Sequence, residues 1–133
     1  MALTSVADTR LLVFLEFPAT KEMGTKTRDF FEKELRERLF APSIVLTEFV
    51  KIAGEKIGEE AAKNRLRILK GMGMQTLPLD EENALAAGSL LLSCRKAPIA
   101  DAIIASYVKT GFADYAITDD QHFKTLSVKT KWL

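Results

Sequence analysis

Residues 98–126 read PIADAIIASYVKTGFADYAITDDQHFKTL. Proline suits the first turn of a helix, where its missing N–H is not needed, so Pro98 predicts a helix over 98–110. Gly111 closes it. ADYAIT at 113–118 then predicts a strand that runs directly into Asp119 and Asp120, and a further strand is expected over 125–129. A helix feeding a strand is the unit from which parallel α/β sheets are built, and function sits at the carboxyl ends of the strands, which is where Asp119 and Asp120 fall.

The same alternation extends back to the start. LTSVA at 3–7 is short, β-prone and ends at Asp8. RLLVFLEF at 10–17 predicts a helix stopped by Pro18. Residues 19–24, with Gly24, read as a loop. Phe30, Phe31, Leu35 and Leu39 fall near helical spacing and predict a helix over 25–38. A brief connection at 39–42 has room for a short strand. Ser43 is placed to cap a helix over 44–55, with Ile44, Val45, Phe49 and Ile52 as its buried stripe. Gly54 and Gly58 predict a break, followed by a helix over 59–71 that ends at Gly71 and Gly73. MQTLPL at 74–79 predicts a strand. Asp80 is placed to cap a helix over 81–94, whose first turn holds Glu81 and Glu82. The whole pattern predicts one α/β domain with a mostly parallel central sheet.

Composition narrows the function. The 133 residues carry 19 basic and 18 acidic side chains, so a histone-like nucleic-acid binder and an acidic disordered chain are both excluded. One cysteine, Cys94, excludes an internal disulfide and multi-cysteine zinc sites; one histidine, His122, excludes a His-rich metal site. No apolar run approaches the ~20 residues of a membrane span. The N-terminus has no basic n-region, and its apolar stretch is interrupted by Asp8, Arg10 and Glu16, which predicts a cytoplasmic protein without a signal peptide.

Several acids stand out by context. Asp8 follows an apolar strand, Glu48 lies within IVLTEFVKI, Asp101 within PIADAIIASY, and Asp119 and Asp120 follow DYAIT. Buried carboxylates are costly unless paired or bound to a cation. Two of them about 5 Å apart repel by roughly 3 kcal/mol at an effective dielectric near 20. A cluster of three or four therefore calls for a divalent cation, and oxygen ligation selects Mg²⁺ or Mn²⁺. Asp101 also falls near the start of the Pro98 helix, where the dipole favours its ionised form.

The order of these motifs resembles the PIN-domain family of metal-dependent ribonucleases, especially the VapC-type toxins. The resemblance is carried by SVADT at 5–9, PSIVLTEFVKI at 42–52 and the 98–126 segment. It implies a three-layer α/β/α PIN-like domain over 1–133, with Asp8, Glu48 and Asp101 as metal-coordinating acids. Asp120 matches the last acid of the family's Thr-x-Asp segment, with Thr118 as the orienting hydroxyl; Asp119, at the variable position, is a further metal candidate. The family often has Ser or Asn two residues after the first Asp, where this chain has Arg10. The implied activity is hydrolysis of RNA phosphodiesters with Mg²⁺ or Mn²⁺. The implied partners are an RNA substrate, a small antitoxin protein and a second copy of the chain, with the apolar 10–17 and 25–40 segments available for a homodimer or for ordinary core packing.

Rival readings are a stand-alone RNA-processing nuclease with the same chemistry, a non-catalytic RNA-binding domain of the same fold, and a phosphoacceptor receiver domain. The receiver expects paired acids after the first strand, where this chain offers only Asp8. Residues 51–75 hold six basic and three acidic side chains, including Lys63, Arg65, Arg67 and Lys70. They suit either an RNA backbone or a solvated helix face. His122 reads as a surface or packing residue, Phe123 as core and Cys94 as a small buried hydrophobe.

Overall fold

The computed structural model describes residues 2–133. In chain order the elements are β1 (Thr4–Ala7), α1 (Thr9–Glu16), α2 (Lys21–Arg36), β2 (Arg38–Pro42), α3 (Ser43–Ile57) and α4 (Glu59–Gly71). They continue with β3 (Gln75–Leu77), α5 (Glu81–Ser93), α6 (Ile99–Lys109), β4 (Tyr115–Ile117), α7 (Gln121–Thr125) and β5 (Thr130–Lys131). The five strands form one sheet in the order β3-β2-β1-β4-β5, and every pairing is parallel. All four residues of β1 are buried, as expected of a central strand with helices on both faces. The α/β architecture with a parallel central sheet is thus as the alternation predicts.

That strand order places the topological switch between β1 and β4. After β1 the chain builds toward β2 and β3; β4 and β5 are then added on the other side. In open parallel sheets the crevice at such a switch, outside the strands' carboxyl ends, is where ligands bind. The register pairs Ala7 with Ile117, so the next residues, Asp8 and Thr118, emerge side by side. Helices α1, α3 and α6 meet here. Leu11, Leu12, Val45, Phe49, Ala102 and Ile104 are fully buried in the common core. In the apolar segments considered for self-association, Leu11, Leu12, Phe31 and Leu39 are spent on this core.

Four local expectations are corrected. Helix α2 begins at Lys21 rather than 25: Thr20 caps it by accepting from Met23 N–H at 3.0 Å, and Gly24 lies within the first turns. Pro42, not Ser43, occupies the cap position of α3, and no side chain caps that helix. Helix α3 runs through Gly54 to Ile57 and breaks only at Gly58, whose φ of 94° is left-handed. Residues 121–125 form α7, and the last strand is Thr130–Lys131 rather than 125–129, because Asp120 caps a short helix there. Asp80 caps α5 as expected, accepting from Asn83 N–H at 2.8 Å.

Candidate functional site

Asp8 sits in the cap position of α1, yet its side chain makes no capping bond. Its backbone N–H is satisfied by Ile117 O at 3.2 Å, and its Oδ2 accepts from the Thr118 hydroxyl at 2.7 Å. The same hydroxyl oxygen accepts from Asp120 N–H at 3.0 Å. Thr118 therefore joins the end of β1 to the turn after β4. Next to Asp8, Thr9 donates its hydroxyl to Glu48 Oε1 at 2.6 Å, which fixes a half-buried acid from the middle of α3. Asp101, in the first turn of α6, is buried.

These side chains share one open cleft of about 290 Å³, lined by Asp8, Glu48, Asp101 and Asp120 with Arg10 at its side. Val13, Phe14 and Ile52 give it an apolar wall, which lowers the local dielectric and sharpens interactions between charges. The electrostatics follow. Burial, opposed by the Thr118 hydrogen bond and reinforced by Asp101 and Glu48, raises the Asp8 carboxyl to about 6. Asp101 is raised as well, first by burial and then by Asp120, with the His122 ring working against them.

A model of the PIN domain matches residues 6–129. The chain belongs to the PIN-domain family. Comparison with curated proteins gives no match. Solved structures similar to this PIN domain include VapBC2 from Rickettsia felis bound to a DNA fragment from their promoter. That match has 15% identity and a TM-score of 0.79 and covers 98% of each chain. A second is VapC20 of Mycobacterium tuberculosis, a sarcin-ricin loop cleaving toxin, at 17% identity and TM-score 0.74, covering 93% of this chain and 95% of the other. A third is the DNA-bound VapBC of Salmonella typhimurium, at 19% identity and TM-score 0.72, covering 98% of each. The full-length likeness establishes the three-layer PIN-like fold.

Within this PIN domain the two adjacent acids part company. Asp119 turns outward to Arg10, accepting from Nε at 2.5 Å and from Nη2 at 3.2 Å. That bond raises the Arg10 guanidinium above its ordinary value. Asp119 does not line the cleft, whereas Asp120 does. Asp120 Oδ1 also caps α7 by accepting from His122 N–H at 2.9 Å.

His122, read from the sequence as a surface or packing residue, is exposed on one side and reaches two of the cleft acids on the other. Its Nδ1 lies 3.1 Å from Asp101 Oδ2 and 3.0 Å from Asp120 Oδ1, and the three side chains are close enough to hold one metal ion. The only sequence signal was its position two residues after Asp120; its contact with α6 is tertiary.

The basic run on α4 is largely engaged with neighbours. Lys63 pairs with Glu59 at 2.7 Å, Arg65 with Glu16 at 2.8 Å, and Arg67 donates to Asn64. Phe123 is core, as read from the sequence, while Cys94 is only half-buried and donates to Thr125 O. Among the described residues, no helix is long and apolar enough to cross a membrane.

Proposed function

We propose that this PIN domain is a divalent-metal-dependent ribonuclease and the toxin half of a VapBC-type toxin–antitoxin pair. The observation that carries the activity is the convergence of four carboxylates in one cleft: Asp8, Glu48, Asp101 and Asp120 come from β1, α3, α6 and the β4–α7 turn. The donor set fits a hard cation. It gathers carboxylates in a partly desolvated place, the Asp8 carboxyl is pushed up to about 6 there, and the nearest guanidinium, Arg10, is engaged with Asp119. Oxygen-rich sites of this kind suit Mg²⁺ or Mn²⁺. When bound, such a cation supplies Lewis-acid polarisation of a phosphodiester and a more acidic water.

The protein's own residues set the geometry. Thr118 holds the Asp8 carboxylate toward the cleft, and Thr9 does the same for Glu48. Asp101 and Asp120 complete the acidic set. Pre-positioned ligands of this sort save the reorganisation that a mobile site would require at the moment of reaction. No covalent nucleophile is needed.

The toxin assignment draws on the similar structures, several of which are toxin–antitoxin complexes. An antitoxin for this chain would be the product of a small neighbouring reading frame and would co-purify with it.

The test is substitution of one acid. Asp101→Asn should fold and lose cation-dependent RNA cleavage. Full retained activity in that variant would remove Asp101 from the mechanism.

A further inference from the structure

The four acids of the cleft offer a cation only oxygen ligands. Resting on the metal assignment for that cleft, we propose that His122 contributes its Nδ1 to the cation's ligand set, so that the site prefers Mn²⁺ to Mg²⁺.

Three observations carry this. First, Nδ1 approaches one oxygen of each of two acids, at 3.1 Å to Asp101 and 3.0 Å to Asp120. Neighbouring ligands of an octahedral ion with bonds near 2.1 Å are separated by about 3 Å, so this spacing also suits ligands sharing one cation. Second, the ring is held in place by its own backbone. Its N–H donates to Asp120 Oδ1 in the first turn of α7, and Phe123, the next residue, is fully buried and anchors that turn. The imidazole thus reaches the acids without a long flexible stem. Third, the ring stands at a boundary. Asp101 and Asp120 line the acidic cleft, while His122 lines a separate groove with Cys94, Arg95 and Ala97. Its side chain is about half exposed, so solvent and ions reach it.

The chemistry sets the direction. Carboxylates serve Mg²⁺ and Mn²⁺ alike, whereas an imidazole nitrogen favours transition metals over Mg²⁺. One nitrogen among oxygens moves the preference toward Mn²⁺ without giving the nitrogen- and sulfur-rich site that zinc favours. A hydrogen bond from the ring to the two carboxylates would also explain the distances, and the test separates the two roles.

The experiment uses the full chain loaded with Mn²⁺ and reads the electron-spin-echo modulation from nitrogen. Wild type should show directly coordinated nitrogen whose frequencies change with ¹⁵N-histidine labelling, and His122→Asn should lose it. Calorimetric titrations should show the Mn²⁺-to-Mg²⁺ affinity ratio falling about tenfold or more in His122→Asn. Losing even an outer-shell partner costs about 10–100-fold in metal affinity, and loss of an imidazole nitrogen falls mainly on Mn²⁺ because Mg²⁺ gains little from it. Mn²⁺ bound in an Asp101-dependent manner, without nitrogen coupling and with an unchanged ratio, overturns the role of His122 and leaves the metal site standing. Mn²⁺ that does not bind, or binds equally to Asp101→Asn, overturns both.

Discussion

The Thr118 hydroxyl donates to Asp8 Oδ2 at 2.7 Å and accepts from Asp120 N–H at 3.0 Å, so one hydroxyl ties the ends of the two central strands. A hydrogen bond to a charged, buried partner contributes about 1.5–3 kcal/mol. Thr118→Val keeps the β-branched shape and removes both bonds. It should lower unfolding free energy by about 1–3 kcal/mol in urea titrations and weaken Mn²⁺ binding by roughly 10–100-fold. Thr118→Ser should restore most of both. A valine variant with wild-type metal affinity would show that the hydroxyl does not orient Asp8.

The Asp8 carboxyl gives the metal-free protein a defined pH dependence. It titrates near 3.8 when unperturbed and about 6 in the fold. Below the lower value both states are protonated and the group contributes nothing. Between the two values the folded state holds a proton that the unfolded state has released, so stability falls as pH rises. Above the upper value the penalty is complete, at about 3 kcal/mol. Asp101 is shifted in the same direction and adds a slope of the same sign. Asp8→Asn should therefore match wild type near pH 4 and exceed it at pH 7 by up to about that amount. Saturating Mn²⁺ should cancel the advantage by stabilising wild type alone. An asparagine variant less stable than wild type at pH 7 without metal would contradict a desolvated, unneutralised Asp8.

Asp119 and Asp120 should separate cleanly. Asp119 pairs with Arg10 at the exposed rim, and Asp120 lines the cleft. Asp120→Asn should abolish cation-dependent cleavage. Asp119→Asn should leave it within a few-fold and change stability by less than about 1 kcal/mol, the range for exposed ion pairs. The reverse ranking in an RNA cleavage assay would exchange their roles.

Much of this was legible in the sequence because the relevant signals are local. Pro98, the apolar run after it and Gly111 set the limits of α6, while DYAIT placed β4 and with it Asp120. The differences lie where a capping side chain or a very short element outweighed the more obvious local cue. Gly24 looks like a loop residue, yet it lies inside α2 because Thr20 caps that helix before it, and its missing side chain leaves room for Pro18. A Cβ at Gly24 would come within 3.0 Å of Pro18 Cγ. The strand at 130–131 is too short to show a period of two, and Asp120, which follows a strand, also begins a helix. His122 could not be found from sequence because its partner Asp101 lies 21 residues away on another helix.

Glu34 is another buried acid that local pattern did not reveal. Its side chain is 3% exposed, accepts from Ser5 Oγ at 3.2 Å, and pairs with Lys131 at 2.8 Å. The lysine nitrogen also lies 4.9 Å from the Tyr115 ring centre. This network fastens α2 to strands β1 and β5, away from the acidic cleft. Lys131→Met leaves a buried carboxylate without its cation and should cost about 2–3 kcal/mol, less than a fully buried pair because the lysine is a quarter exposed. Adding Glu34→Leu should recover much of the loss. Urea denaturation of the single and double variants checks both, and equal stability of Lys131→Met and wild type would show that the pair contributes nothing.

The most direct measurement is cleavage of a structured RNA pool by wild type and Asp8→Asn, with Mn²⁺, with Mg²⁺ and with EDTA. Cleavage by wild type with a divalent cation, abolished by EDTA and absent in Asp8→Asn, is the predicted result. Cleavage that survives EDTA, or is equal in the two proteins, would contradict a metal-dependent ribonuclease centred on this acidic cleft.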